Sequence, residues 1–119
     1  GYAFSCGCFL FARGDVRIAG NNSRIMYHEL LYNADGCLQD HRESCYESEN
    51  LMRSIDELIV SRTEIPQKVL DKVKREKRNW FLTRKECLDY KLINFDGRLS
   101  DVYEVMFADE EEDDKKALE

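Results

Sequence analysis

The sequence has no apolar run long enough to cross a bilayer. Its longest one, from Tyr2 to Ala12, holds eleven residues, whereas a spanning helix needs about 20. No basic segment precedes this run, as one would in a secretory signal peptide. Proline occurs once and glycine six times, which excludes a collagen-like chain. The sequence also lacks GxxxxGK followed by Ser or Thr, the pattern of a phosphate-binding loop. We therefore expect no membrane partner and no cofactor.

Excess charge of one sign is scarce outside the C-terminal segment. The chain has 18 basic and 24 acidic residues, a formal charge of -6. Residues 108–119 contain seven acids and two lysines, so the rest of the chain sums to only -1. The segment 68–85 holds eight basic and two acidic residues, but no glycine and no aromatic before Trp80. That pattern is typical of a solvated helix face, and we expect no nucleic-acid partner.

The five cysteines, Cys6, Cys8, Cys37, Cys45 and Cys87, form no metal-binding pattern. No pair with two intervening residues is followed by a second such pair, as in common zinc sites. An odd number would leave one thiol over in a full set of disulfides. Reduced thiols in a cytoplasmic protein are the simpler interpretation, and we expect no metal. Cys6 and Cys8 are expected to pack as small core side chains.

Local patterns predict one mixed α/β domain. With 119 residues, 43% of them hydrophobic, the chain can bury a single core. Leu51, Ile55, Leu58 and Ile59 recur at helical spacing and predict the buried face of a long helix whose first half is polar. Thr83 and Glu86 have the spacing of a capping box at a helix start. The predicted helices are 39–62, 66–77 and 84–90, and the predicted strands are 16–19, 24–31 and 92–94.

The C-terminal part of the chain is predicted to be less ordered. Leu99, Val102, Val105 and Met106 could form one or two amphipathic turns within an extension at residues 96–108. From residue 109 onward like charges repel and little apolar surface is available for packing. We expect a domain over residues 1–95 and an acidic disordered tail over residues 109–119.

Ser5 and His28 have the chemistry of a nucleophile and its base. Ser5 precedes a helix-forming run, with Gly7 two positions later, and N–H groups at a helix start can stabilise the oxyanion that follows serine attack. His28 lies in an otherwise apolar predicted strand, and an imidazole can accept a proton near neutral pH. Each residue taken alone is also compatible with a role in core packing.

Three segments resemble, in order, motifs of the Clp protease proteolytic subunit family. GYAFSCGCFLFARGD resembles G-x-A-x-S-x-G-x-x-L-x-x-x-G around the nucleophile, and NNSRIMYHEL resembles PNSRxMIHQP around the histidine. KRNWFLTRKECLDYKLIN resembles xRDxFxSAxEAxxYGLID, which carries the triad aspartate. The chain is identified as a divergent member, of the sort that phages and mobile elements carry. It resembles the C-terminal half of the family's domain, and its start at Gly1 inside an apolar run is consistent with a fragment.

The resemblance implies a fold and a set of roles. The fold is an α/β spiral of β-β-α units related to the crotonases, in which the helix 39–62 is the handle between two rings. Ser5 is the nucleophile, His28 the general base and then acid, and the backbone N–H of Cys6 one oxyanion donor. The second donor belongs to the N-terminal half. The implied activity is endopeptidase cleavage of polypeptides inside a homo-oligomeric ring. A separate AAA+ Clp-type unfoldase feeds that ring, and ATP acts only through this partner.

Asn79 is the main departure from the family, because it stands where the triad aspartate is expected. An asparagine can accept a hydrogen bond from imidazole but brings no charge to stabilise the imidazolium. The enzyme is therefore expected to be weak or inactive, and a non-cutting ring subunit with a scaffold or regulatory role is an alternative. A crotonase-fold acyl-CoA enzyme is a second alternative, which would not need Ser5 within reach of His28.

Three smaller departures lie near the predicted site and at a helix end. Glu29 and Leu30 replace the Gln-Pro that follows the family's histidine. Lys91 replaces the glycine before the last motif strand. Because glycine is the usual residue after a helix C-terminus, we expect the preceding helix to use another C-cap.

Overall fold

The computed structural model describes residues 1–118, with the side chains of all of them except 105 and 109–115. It is a mixed α/β structure that combines a small sheet with several helices. The elements in chain order are β1 (Tyr2–Phe4), α1 (Cys6–Ala12), β2 (Arg24–Tyr27), α2 (Leu38–Arg62), α3 (Gln67–Arg75), β3 (Trp80–Leu82), α4 (Arg84–Asp89) and α5 (Leu99–Ala117).

The sheet has the strand order β1-β2-β3. Strand β1 pairs parallel with β2, with Phe4 opposite Met26, and β2 pairs antiparallel with β3, with Tyr27 opposite Trp80. A parallel pair needs a crossover connection, and α1 forms part of that connection. The C-terminal ends of β1 and β2 therefore meet the start of β3 at one edge of the sheet.

The hydrophobic core lies between one face of the sheet and the helices. Alternate strand residues point to opposite faces, and Ile25 and Tyr27 of β2 point inward. The opposite face exposes Tyr2, Phe4 and Phe81, with the ring centroids of Phe4 and Phe81 5.4 Å apart. The buried apolar cluster consists of Cys8, Ala12, Ile25, Tyr27, Met52, Ile59, Ile65, Leu70, Val73, Leu82, Cys87, Leu92 and Ile93.

Helix α2 (Leu38–Arg62) confirms the long predicted helix to within one residue at its start. Its first half is exposed, as expected, whereas its second half buries Met52, Asp56 and Ile59. The predicted buried face is confirmed at Ile59, and Ile55 packs against the core, but Leu51 is exposed and Met52 is buried instead. The buried face of α2 includes the acidic residue Asp56. The spacing of hydrophobic residues does not predict that an acidic side chain is buried.

Two predicted strands, 16–19 and 92–94, are irregular segments. Both are held by the buried side chain of Arg17. Its guanidinium donates to the carbonyl oxygens of Leu92 (2.8 Å), Lys91 (3.0 Å) and Arg62 (2.9 Å). The backbone N–H of Arg17 donates to Asn94 Oδ1 at 2.7 Å. The Arg17 guanidinium as donor and Asn94 Oδ1 as acceptor thus pair with backbone groups for which the strand prediction required a ladder, and the prediction was wrong at both places.

The strand pattern was also misjudged elsewhere. Strand β2 ends at Tyr27, so the predicted strand 24–31 is too long. Strands β1 and β3 have three residues each, and neither was predicted. Such short strands depend on tertiary pairing more than on local propensity.

Helix ends agree better with the sequence. Helix α3 (Gln67–Arg75) lies within the predicted segment 66–77, and α4 (Arg84–Asp89) follows the predicted capping box. The N–H of Thr83 donates to Glu86 Oε2 at 2.7 Å. Lys91 itself adopts the left-handed conformation, with φ 57°. The expectation of a different C-cap was therefore wrong, because lysine takes the backbone conformation that glycine adopts without strain.

Helix α5 (Leu99–Ala117) is one continuous helix across the predicted extension and into the predicted tail. The structure therefore differs from the expected disorder between residues 109 and 117, where it has a helix. Glu, Lys and Ala, which are frequent in this segment, have high helix propensity, and this favours helix over disorder. Within residues 1–118 no helix combines the length and the hydropathy needed to cross a membrane.

Candidate active site

Ser5 lies at the sharp turn between β1 and α1. Its backbone has φ 56° and ψ -116°, a left-handed conformation that costs a non-glycine residue about 1–3 kcal/mol. The N–H of Ser5 donates to the carbonyl oxygen of Met26 at 2.9 Å, which fixes the turn against β2. The side chain is exposed. A strained strand-to-helix turn that exposes a serine is the geometry of a nucleophile elbow.

His28 is the first residue after β2 and is half-buried. Because β1 and β2 are parallel and Phe4 pairs with Met26, Ser5 and His28 follow strand ends on the same edge of the sheet. Both line a small cavity of about 30 Å³, whose other walls include Phe9, Leu30 and Ile55. The part of the chain that the structure describes contains no direct hydrogen bond between Ser5 and His28. Their hydrogen-bonded geometry stays a prediction, since catalytic hydrogen bonds often tighten only with substrate.

The His28 ring has one recorded polar partner. Its Nδ1 forms a short contact with the backbone carbonyl oxygen of Glu29. Because a carbonyl oxygen can only accept, this contact is a hydrogen bond in the tautomer that carries the proton on Nδ1. Nε2 of the neutral ring is then the nitrogen with a free lone pair.

Asn79 directly precedes β3 and is exposed. The register pairs Tyr27 with Trp80, and one further step along both strands brings Asn79 opposite His28. The backbone therefore brings residue 79 and His28 to the same end of the sheet. Among residues 1–118, its side chain has no recorded hydrogen bond. Its role as the third member of the site stays a prediction.

Cys6 is the first residue of α1. The first N–H groups of a helix have no partner within that helix, and the N–H of Cys6 follows Ser5 directly in the chain. The side chain of Cys6 is exposed, which corrects its expected place in the core, whereas Cys8 is buried as expected. The oxyanion role of the Cys6 N–H concerns the backbone and stays a prediction.

A family model described as Clp protease matches residues 1–95. The chain belongs to the Clp protease family. A search of curated proteins finds no match. The chain is thus a protease-type domain at the level of the family. All three motifs that carried the resemblance lie within the matched segment, whereas the whole of α5 lies beyond it.

A buried polar network, which sequence reasoning missed, supports the strand that carries His28. The hydroxyl of Tyr27 donates to Asp56 Oδ1 at 2.6 Å, and Gln67 Nε2 donates to Asp56 Oδ2 at 2.9 Å. The ammonium of Lys74 forms a short ion pair with the same Oδ2 atom. Burial, followed by the hydrogen bond to Asp56, raises the pKa of Tyr27. The network connects β2 to α2 and α3. Its member in β2 is Tyr27, the residue directly before His28.

The sequence did contain a signal for this network. Asp56 lies four residues after Met52 and three before Ile59, so all three share one face of α2. An acid on the buried face of an amphipathic helix indicates a buried partner, because an unpaired buried charge is costly. In the structure that partner is Lys74 of the following helix.

Thiols and metal ligands add no further site. All five cysteines are free thiols, and burial raises the pKa of Cys8 and of Cys87 to about 12. Both are core side chains with little thiolate character. Within the described residues no group of three or more His, Cys, Asp or Glu side chains could hold a metal ion.

Proposed function

We propose that this chain is a serine-type endopeptidase subunit that hydrolyses peptide bonds through an acyl-enzyme on Ser5. The observation that carries the proposal is the left-handed turn at Ser5, beside a cavity that Ser5 shares with His28. Strained backbone is retained at active sites because the surrounding structure over-determines it. A crotonase-type acyl-CoA enzyme would not need the two side chains to share a cavity, so this arrangement favours the peptidase.

The chemistry then follows the serine-histidine pattern. Ser5 Oγ attacks the substrate carbonyl carbon while His28 Nε2 takes the hydroxyl proton. The backbone N–H of Cys6 donates to the oxyanion that forms. His28 then gives its proton to the leaving amine, and the acyl-enzyme remains. Water attacks the ester carbonyl carbon while His28 takes a proton from it. The bond from that carbon to Ser5 Oγ then breaks, His28 returns the proton to Oγ, and the acid leaves with both residues in their starting state.

The proposal includes assembly into a homo-oligomeric ring. The polar first half of α2 is exposed along the subunit and carries Leu38 and Tyr46 on its surface, which suits a handle that packs against another subunit. A separate AAA+ Clp-type unfoldase supplies polypeptide, and ATP acts only through that partner. The chain itself needs no cofactor for the steps above.

A non-cutting ring subunit is the second candidate, and Asn79 is the observation that favours it. The residue offers no negative charge, and its side chain is exposed. In trypsin, replacing the triad aspartate by asparagine lowers the rate about ten thousand-fold. The scaffold function would keep ring assembly and lose acylation.

Acylation by a serine-reactive fluorophosphonate, followed by intact-mass measurement, separates the two candidates. We expect one covalent adduct on the wild-type protein and none on Ser5→Ala. Ser100→Ala is the matched control, because Ser100 is an exposed serine in the first turn of α5, beyond the matched family segment. Equal labelling of Ser5→Ala and wild type would refute Ser5 as the nucleophile. No labelling of any variant in assembled rings would favour the scaffold.

A further inference from the structure

The carbonyl oxygen of Glu29 occupies the side of the His28 ring that a triad acid would use. It contacts Nδ1, and in the tautomer that makes this contact a hydrogen bond Nε2 is the basic nitrogen. In a serine triad the aspartate does the same work, since it fixes the tautomer in which Nε2 faces the nucleophile. Asn79 has no recorded bond to the ring in the described part of the chain, so tautomer control falls to the backbone of Glu29.

The side chain of Glu29 ties this residue to a distant part of the chain through an ion pair. The Glu29 carboxylate lies 2.6 Å from the ammonium of Lys77, which is 48 residues away in sequence. This ion pair fastens the residue after His28 to the loop between α3 and β3. The same loop carries Asn79, two residues after Lys77.

Lys77 is itself held by the end of α3. Its backbone is left-handed, with φ 54°, and its N–H donates to the carbonyl oxygen of Lys74 at 3.1 Å. The next N–H, that of Arg78, donates to the carbonyl oxygen of Val73 at 3.1 Å. These two bonds form a Schellman cap, which fixes the Cα position from which the Lys77 side chain starts.

We propose that Glu29 and Lys77 are positioning residues for His28: their ion pair holds the Glu29 carbonyl against Nδ1 in place of the missing triad carboxylate. The inference rests on the proposed serine peptidase function, but the tautomer of His28 can be measured without any turnover. The pair is well exposed, with side-chain exposures of 75% for Lys77 and 42% for Glu29. Exposed pairs contribute little to folding, so neutral variants should stay folded.

Nitrogen-15 NMR of histidine-labelled protein reads the tautomer directly. The chain has only two histidines, and a His41→Gln variant assigns the signals. At an alkaline pH of about 8.5, we expect the neutral ring of wild-type His28 to be mainly the Nδ1–H tautomer. Glu29→Gln and Lys77→Met should shift it toward the Nε2–H form that unconstrained imidazole prefers.

Kinetics provide the second readout. Losing an exposed pair should lower kcat by roughly two- to five-fold and leave KM unchanged, because the ring and not the substrate site is disturbed. The charge-reversed double variant, Glu29→Lys with Lys77→Glu, should restore both tautomer and kcat. Lys72→Met is the matched control, since Lys72 is an exposed α3 lysine paired with Glu76 instead.

The possible results distinguish this inference from the function on which it rests. An Nε2–H tautomer in the wild type, or an unchanged tautomer in both neutral variants, overturns the positioning role even if Ser5 is labelled. The expected tautomer shifts without any labelling of Ser5 would support the positioning role and remove the peptidase function. Loss of the Nδ1–H form in Lys72→Met as well would show a general effect of charge and overturn the specific pair.

Discussion

Removing the carboxylate of Asp56 should destabilise the fold and disturb the site at once. Asp56 is only 2% exposed and accepts hydrogen bonds from Tyr27 and Gln67, besides its ion pair with Lys74. In Asp56→Ala the Tyr27 hydroxyl is left buried without this partner. Lys74 keeps a second acid, Asp71, at 3.4 Å.

The size of the effect follows from what is left unpaired. Removing one partner of a buried ion pair costs about 3–5 kcal/mol, and an orphaned buried hydroxyl costs about 1–3 kcal/mol. Because Lys74 can move toward Asp71 and is partly exposed, we place Asp56→Ala at the lower end, about 3 kcal/mol. Asp71→Ala, in the same cluster but exposed, should cost less than about 1 kcal/mol.

Urea unfolding of the protein, followed by circular dichroism, measures both variants against wild type. Labelling of Ser5 by the fluorophosphonate gives the functional readout, which should slow in Asp56→Ala because Tyr27 precedes His28. Equal unfolding free energies for Asp56→Ala and Asp71→Ala would refute the buried network. A strongly destabilised Asp56→Ala with undiminished labelling would refute its link to the site.

Three further changes have expected directions. Lys91→Gly should raise the unfolding free energy by about 1 kcal/mol, because glycine adopts its left-handed conformation without strain; a loss of stability in urea unfolding would contradict this. Asn79→Asp should raise peptide hydrolysis more than ten-fold, because its charge stabilises the imidazolium even when the Glu29 carbonyl already fixes the tautomer; an unchanged rate would show that a carboxylate at residue 79 does not act on the ring. Since burial raises the pKa of Cys8 and Cys87 to about 12 from the usual 9.0, their stabilising effect is complete below pH 9 and is lost as the pH rises toward 12. Unfolding measured over that range should show this loss, and Cys8→Ala should flatten it.

The helices were largely predictable because their signals are local. The capping pair Thr83 and Glu86 and the stripe within α2 act over three or four residues, and both gave helices near their predicted bounds. The strands depend on partners far away in sequence. Arg17 and Asn94 are 77 positions apart, and no local pattern shows that their side chains replace a strand ladder.

The candidate site was predictable as a set of residues but not as a geometry. Motif likeness selected Ser5, His28 and Asn79, and the register brings their backbone positions to one sheet edge. The strain at Ser5 and the Glu29 carbonyl contact depend on backbone conformation, which the sequence does not display. Asp56 was overlooked because only apolar residues were considered for the buried face of α2, although its helical phase matches Met52 and Ile59.

The central claim is that Ser5 performs nucleophilic catalysis with His28, and peptide hydrolysis by wild type and Ser5→Ala tests it most directly. Both proteins should assemble alike, since only one exposed hydroxyl differs. The account predicts turnover by wild type and a fall of roughly a thousand-fold or more in kcat/KM for Ser5→Ala. Equal rates for the two proteins, or assembled wild-type rings that never cleave a peptide, would contradict it.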